Sequence, residues 1–348
     1  MSAHLKDRAR WEASIPGILW KQVFHRVPKI PSYISLHGET AIVTGSSQGL
    51  GLECARQLLQ LGLSDLILAV RSQSKGDAAA KQLHTEFPEA NIQVWILDME
   101  SYDSVRQFAT RCETLKRLDI AILNAGCGKV TYQRAGGDGR EVSLHVNYLA
   151  TMLLTILLVP IIKEKNSAVS DGKKFASTPG RITIVGSDMS FWAKIDATSK
   201  SILDAVDDPE SFDGMGQYGK TKLLLPMFVS KLAEVVSGDE VIINVVNPSS
   251  TRGTALMREA KGQYMAQAMV FLSGVIMGRN LTDGTRQYLH SALVLGKESH
   301  GSFGDWEIRP YPPVMYTEPG RQMTEKLWKE TLEELHITDI KTLGGRKN

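Results

Sequence analysis

Cysteine, net charge and long hydrophobic runs are all scarce in this chain. Its three cysteines (Cys54, Cys112, Cys127) are an odd number without metal-ligand spacing. That excludes a disulfide framework or a zinc motif and favours a reducing, cytoplasmic setting. Lys and Arg number 40 against 38 Asp and Glu, a net charge of +2, so no nucleic-acid partner is expected. The most apolar run, residues 152–162, falls short of the roughly 20 residues a bilayer span needs and reads as a helix buried on several sides. Lys6, Arg8 and Arg10 precede no apolar run ending in small residues, so a secretory signal is not expected.

What is present is a rhythm. From about residue 38 short β-branched runs alternate with helical patterns, which predicts βαβ units and a parallel sheet. Strands are expected at 39–44, 65–70, 92–97, 119–123, 181–185 and 241–246, with helices at 50–61, 73–87, 102–117, 140–163 and 217–236. Near-continuous apolar strands are buried on both faces, so the fold class is α/β, a three-layer doubly wound parallel sheet of the Rossmann type. The domain spans about 38–310. Residues 1–37, with Trp11, Trp20 and Phe24, form an arm on the body, 166–180 a polar surface loop and 311–348 a helical extension.

Between the first strand and the first helix lie Gly45, Ser46, Ser47, Gln48, Gly49, Leu50 and Gly51. Glycine there permits positive φ and close approach of the backbone to phosphates, and the helix N-terminus supplies free N–H groups. The loop therefore reads as a pyrophosphate cradle of a dinucleotide. The second strand ends Ala69-Val70-Arg71-Ser72 with no acidic residue. An acid there would accept from a ribose 2′-hydroxyl, whereas a guanidinium holds a 2′-phosphate. Arg71 therefore favours NADP(H), with Ser46 and Ser72 as further donors; the competing reading is a solvated strand-end arginine. Asp98 ends the third strand and either accepts the adenine amino group or caps the next helix. Asn124-Ala125-Gly126 ends the fourth, where small residues let the chain pass a cofactor and Asn124 can brace the central strands. Tyr218 and Lys222 are four apart in a helical stretch and so share a face.

In this order, with Asn147, Ser187 and Asn247-Pro248, these residues resemble the short-chain dehydrogenase/reductase family over about 38–250. The strand ending at Arg71 and the long segment before Tyr218 look most like the retinol-dehydrogenase and protochlorophyllide-reductase branch, and related reductases are common in fungal secondary metabolism. The resemblance makes Tyr218 the general acid in reduction and base in oxidation, with Lys222 and the cationic nicotinamide of the oxidised cofactor lowering its pKa and Lys222 binding the nicotinamide ribose. It makes Ser187 a hydrogen-bond partner of the substrate oxygen, with Ser190 as the competing choice, and gives Asn147 a water that links Lys222 to bulk solvent. Thr251 would contact the carboxamide. Ser249 stands where the family usually has glycine. Dimers or tetramers would form through 102–117 and 140–163.

The segment 251–280 is rich in Met, Tyr and Phe. With Phe191 and Trp192 it either lines a site for a bulky hydrophobic ketone or alcohol or packs on the body or a second subunit. Residues 268–278 offer at most a peripheral membrane contact. The leading reading is an NADP(H)-dependent oxidoreductase acting on a hydrophobic small molecule. The alternatives are an isomerase or cyclase in the same cleft, or a cofactor-binding scaffold.

Overall fold

The β-branched runs do form the sheet. In the computed structural model, which describes residues 2–137, 139–167, 169–170, 173–174, 179–252, 278–340 and 343, strands β1 (Thr40–Thr44), β2 (Asp65–Val70), β3 (Asn91–Ile96), β4 (Ile120–Leu123), β5 (Gly180–Val185) and β6 (Val241–Val246) pair in parallel. Two strands not expected from the sequence extend it. β7 (Phe303–Gly304) runs parallel to β6, and β8 (Ile308–Arg309) turns back antiparallel to β7. At two residues each they are too short to carry a periodic pattern. The sheet order is β8-β7-β6-β5-β4-β1-β2-β3, so the chain reverses direction between β1 and β4. In such sheets ligands bind beyond the carboxyl ends of the strands at that switch point.

The helices are α1 (Lys6–Glu12), α2 (Ile15–Phe24), α3 (Gly49–Gln60), α4 (Gln73–Glu86), α5 (Tyr102–Cys112), α6 (Val142–Ser167), α7 (Ile202–Val206), α8 (Gly214–Val235), α9 (Leu281–Leu289) and α10 (Glu318–Glu334). Two apolar clusters lie on opposite faces of the sheet. One joins α5, α6, α8 and α10, and the other joins α3, α4 and α9. α5 stops short of the expected 117 because the chain tightens into successive turns after Cys112. α6 runs past the expected 163. At 26 residues it is long and apolar enough to cross a membrane by length and composition, which corrects the expectation that no segment reaches that length. Its residues are nearly all buried in the core, packed on α5, α8 and the sheet.

Both terminal segments are built into this body. Ser2 Oγ donates to Phe303 O at 3.1 Å and accepts from Phe303 N at 3.0 Å, which fastens the chain start to β7. At the other end, α10 lies across α7 and α8, with Trp328 against Phe228 (ring centroids 4.7 Å) and Tyr148 hydrogen-bonded to Thr331 at 2.6 Å. Glu330 on α10 caps a helix that is remote in sequence. Its carboxylate accepts from Ile202 N at 2.8 Å and Leu203 N at 2.9 Å, the orphan donors at the start of α7. Glu330→Ala should therefore lower stability by about 1–2 kcal/mol. Urea denaturation measures the loss, and limited proteolysis should place new cuts in 193–213.

Candidate active site

At the carboxyl end of β1 the backbone enters the left-handed region at Gly45 (φ 65°) and again at Gly49 (φ 59°). Side chains have no room there. A Cβ on Gly45 would sit 3.0 Å from Ala125 Cα, and one on Gly51 would strike the Gly45 carbonyl. Asn124 holds these pieces together. Its amide donates to Thr44 O at 3.0 Å and its carbonyl accepts from the buried Tyr288 hydroxyl at 3.1 Å. Thr44 Oγ1 accepts from Ala125 N at 2.9 Å. Two features fit a polar ligand at this turn. The Ser46 hydroxyl is fully buried without a partner among the described residues, and α3, which starts after Gln48, has no side-chain hydrogen bond from that capping residue. Ser47, Gln48 and Leu50 surround that opening half-buried.

Arg71 is exposed at the end of β2, its NH1 2.6 Å from Glu100 Oε1. Asp98 is half-buried and its Oδ1 accepts from Glu100 N at 3.0 Å. The cap of α5 is Ser101, so the capping alternative for Asp98 falls.

Across the switch point, α8 carries Tyr218 and Lys222. Lys222 is 3% exposed, and its ammonium donates to Val185 O at 2.7 Å from a position 5.5 Å from the Tyr218 ring centre. Burial lowers its pKa to about 8. Burial holds the Tyr218 phenol above its ordinary range, and the neighbouring Ser187 hydroxyl acts in the opposite direction without reversing it. In the protein itself desolvation dominates, and the lysine charge is turned toward the Val185 carbonyl. Ser190 is fully buried, with its hydroxyl donated to Ser187 O at 2.7 Å, so Ser187 is the serine that meets Tyr218.

Asn147 is buried in a π-helical turn of α6 (His145–Ala150). Its side chain brackets the Cys127 peptide, accepting from Cys127 N and donating to Cys127 O, each at 2.8 Å, and reaches Thr221 at 3.1 Å. Both amide hydrogens are therefore engaged, while the amide oxygen keeps a second lone pair. His145 stacks on Tyr102 with ring centres 4.3 Å apart. The Thr251 hydroxyl closes its own turn on Pro248 O at 3.1 Å. Ser249 keeps the left-handed conformation glycine would favour (φ 57°), which costs about 1–2 kcal/mol. Gln287 steadies that turn, donating to Pro248 O at 2.6 Å and accepting from Ser249 Oγ at 3.2 Å.

For Phe191 and Trp192, left between lining a substrate site and packing on the body, the structure shows packing contacts. Phe191 is buried against Phe303 beneath Arg309. Trp192 donates its indole N–H to Ala13 O at 2.9 Å and so anchors the arm. The remaining expected lining, 253–277, lies outside the described residues. A group missed entirely is Arg309, 2% exposed, whose Nε meets Glu12 Oε2 at 2.8 Å while NH1 meets Asp188 Oδ1 at 3.0 Å. Asp188 follows Ser187, so Arg309 ties the arm to the loop that presents this serine. No local pattern marks it, because its partners are remote in sequence.

The short chain dehydrogenase family profile matches residues 39–196. The chain is 48% identical over 338 residues to the short chain dehydrogenase virL of Hypocrea virens, covering 97% of this chain and 96% of that protein. It is 40% identical over 330 residues to the short chain dehydrogenase/reductase mfmJ of Annulohypoxylon moriforme, covering 94% and 93%. Among solved structures it resembles L-sorbose reductase from Gluconobacter frateurii, determined with NADPH and L-sorbose. The TM-score is 0.57 at 19% identity, covering 79% of this chain and 98% of that one. At that identity the likeness is one of fold.

The lysine gives a test with a defined sign. An amine whose pKa falls from 10.5 to about 8 on folding binds more protons unfolded between those values, so folding stability rises with pH there. Relative to Lys222→Met, the wild-type protein should gain up to about 1.4 kcal/mol per pH unit across that window and nothing below it. Urea denaturation of both proteins at several pH values would show parallel curves if Lys222 is not desolvated.

Proposed function

Because the chain belongs to the short-chain dehydrogenase family, we propose that it is an NADP(H)-dependent oxidoreductase that moves a hydride between the nicotinamide and a ketone or secondary alcohol of a bulky hydrophobic molecule. The observation that carries this reading is the grouping of half-buried Ser187 and Tyr218 with the buried Lys222 at the switch point of the sheet. Bound NADP(H) supplies or accepts the hydride. Gly45, Gly49 and Gly51, the unpartnered Ser46 hydroxyl and the uncapped start of α3 would hold its phosphates, and Arg71 would pair with a 2′-phosphate.

The other roles belong to the chain's own side chains. A phenol held above its ordinary pKa by burial stays protonated at neutral pH, the form a proton donor to a developing alkoxide needs. Ser187 Oγ, on the same hydroxyl, would orient the carbonyl oxygen toward that proton. Lys222 is largely cationic at pH 7 with a pKa near 8, and it would stabilise the phenolate left after transfer. Reprotonation would run through Lys222 toward the π-helical turn at Asn147. An i→i+5 turn drops one regular helix bond, so a backbone carbonyl there, or the second lone pair of the Asn147 amide oxygen, would hold the relay water. The fungal relatives and the apolar composition of 251–280 support a lipophilic biosynthetic intermediate as substrate.

Tyr218→Phe should lower kcat/KM for NADPH-dependent reduction of a lipophilic ketone by about 10²–10⁴ while leaving the Kd for NADPH unchanged. Equal turnover in the two proteins defeats the assigned acid. NADPH should bind more tightly than NADH, and Arg71→Ala should cut that preference by about ten- to a hundredfold in fluorescence titrations. A ratio that does not move removes Arg71 from cofactor selection.

A further inference from the structure

The helix α2 is inside out. A helix on a protein surface normally turns its apolar stripe to the core and its polar side to water. At about 100° per residue, Ile15, Pro16, Trp20, Val23 and Phe24 fall on one continuous arc, and all five are exposed. The opposite side meets the body, where Ile18 packs against the core beside a set of polar attachments. Lys21 pairs with Asp305 at 2.9 Å and Glu307 at 2.8 Å, and Gln22 donates to Ser250 O at 3.0 Å. Arg279 reaches back to accept positions on the same helix, donating to Lys21 O at 3.1 Å and His25 O at 2.9 Å. Of the nine exposed large hydrophobic residues among those described, six lie in this arm (Trp11, Ile15, Trp20, Val23, Phe24, Tyr33), so the apolar exposure is gathered in one place. Trp20 and Phe24 form a single aromatic plate, their rings 4.4 Å apart.

Charge around this arc has one dominant sign. Lys6, Arg8 and Arg10 before α2 and Arg26 and Lys29 after it are exposed, whereas Asp7 is the single exposed acid in residues 2–33. We propose that α2 is a membrane-surface helix that lays its Trp20–Phe24 face on an anionic bilayer, without spanning it. Tryptophan and phenylalanine suit the headgroup boundary, and flanking cations meet anionic lipid. A second copy of the chain is a poorer occupant, because a two-fold contact centred on this face brings the same cations together. The inference goes beyond the redox reading and does not depend on it.

The test is co-sedimentation of the full-length protein with vesicles of about three parts phosphatidylcholine to one part phosphatidylserine, beside vesicles of phosphatidylcholine alone. Wild-type protein should prefer the anionic vesicles and be released by high salt. Trp20→Ser with Phe24→Ser should weaken binding about tenfold or more at unchanged Tm, and Arg10→Gln with Arg26→Gln and Lys29→Gln should do the same on anionic vesicles alone. Three results overturn the proposal. Wild-type protein stays in the supernatant, or the Trp20/Phe24 variant binds as well as wild type. Alternatively, that variant loses Tm or converts a wild-type dimer to monomer in light scattering, which would mean that protein already covers the arc. None of these readouts uses turnover, so a failure here is separate from a failure of the proposed reaction.

Discussion

A buried ammonium with no carboxylate beside it among the described residues organises the centre of this molecule. Lys222 is held by the Val185 carbonyl at the end of β5, and the surrounding chain is shaped to admit it. Gly126 leaves the space that the lysine and Asn147 occupy, since a Cβ there would lie 3.6 Å from Nζ and 3.1 Å from Asn147 Oδ1. Asn147 in turn grips the Cys127 peptide and Thr221, one residue before the lysine on α8. The exit of β4, the end of β5, the π-helical turn of α6 and the first turns of α8 are thus bound around one charge. The low pKa that results is a cost of desolvation, and it leaves the group electrostatically available to Tyr218.

A second charged group ties the decorations of the chain to that centre. Arg309 sits among Glu12 of the arm, Asp188 beside Ser187, and Asp305, with Lys21 adding a further cation against Asp305 and Glu307. A buried ion network of this kind is a weak source of net stability, but removing one partner leaves uncompensated charge in the interior. Its structural effect is to make the first 24 residues and the β7–β8 turn part of the wall behind Ser187. α10 does the same from the other side through Glu330, which fixes the start of α7 in the loop between Ser187 and Tyr218. The arm is therefore fixed to the body by these polar contacts together with buried Ala9, Val27 and Leu36, and α2 keeps its Trp20–Phe24 arc outward.

Much of this was legible without coordinates, and the reason is that it is local. Alternating apolar runs fixed the six long strands and their order of appearance, because burial on both faces demands such runs wherever a parallel strand lies. Glycines at 45, 49 and 51 marked a turn that tolerates no side chain. The four-residue spacing of Tyr218 and Lys222 placed them on one helix face, whatever the rest of the chain did. A serine in place of glycine at 249 was also visible, although the left-handed backbone that it retains was not.

Contacts between residues far apart in sequence were decided only by the tertiary structure. The closing strands β7 and β8, the pairing of Tyr288 with Asn124, the Glu12–Arg309–Asp188 tie, and the assignment of Phe191 to the core and Trp192 to the arm all join segments that no periodicity relates. The direction of the Tyr218 and Lys222 pKa shifts belongs with them. The sequence by itself determined which residue types stand at the strand ends and on the helix faces. Burial depends on how every layer packs, and only the folded chain decided which of those groups lost water, which carbonyl received the lysine, and which side of α2 was left outward.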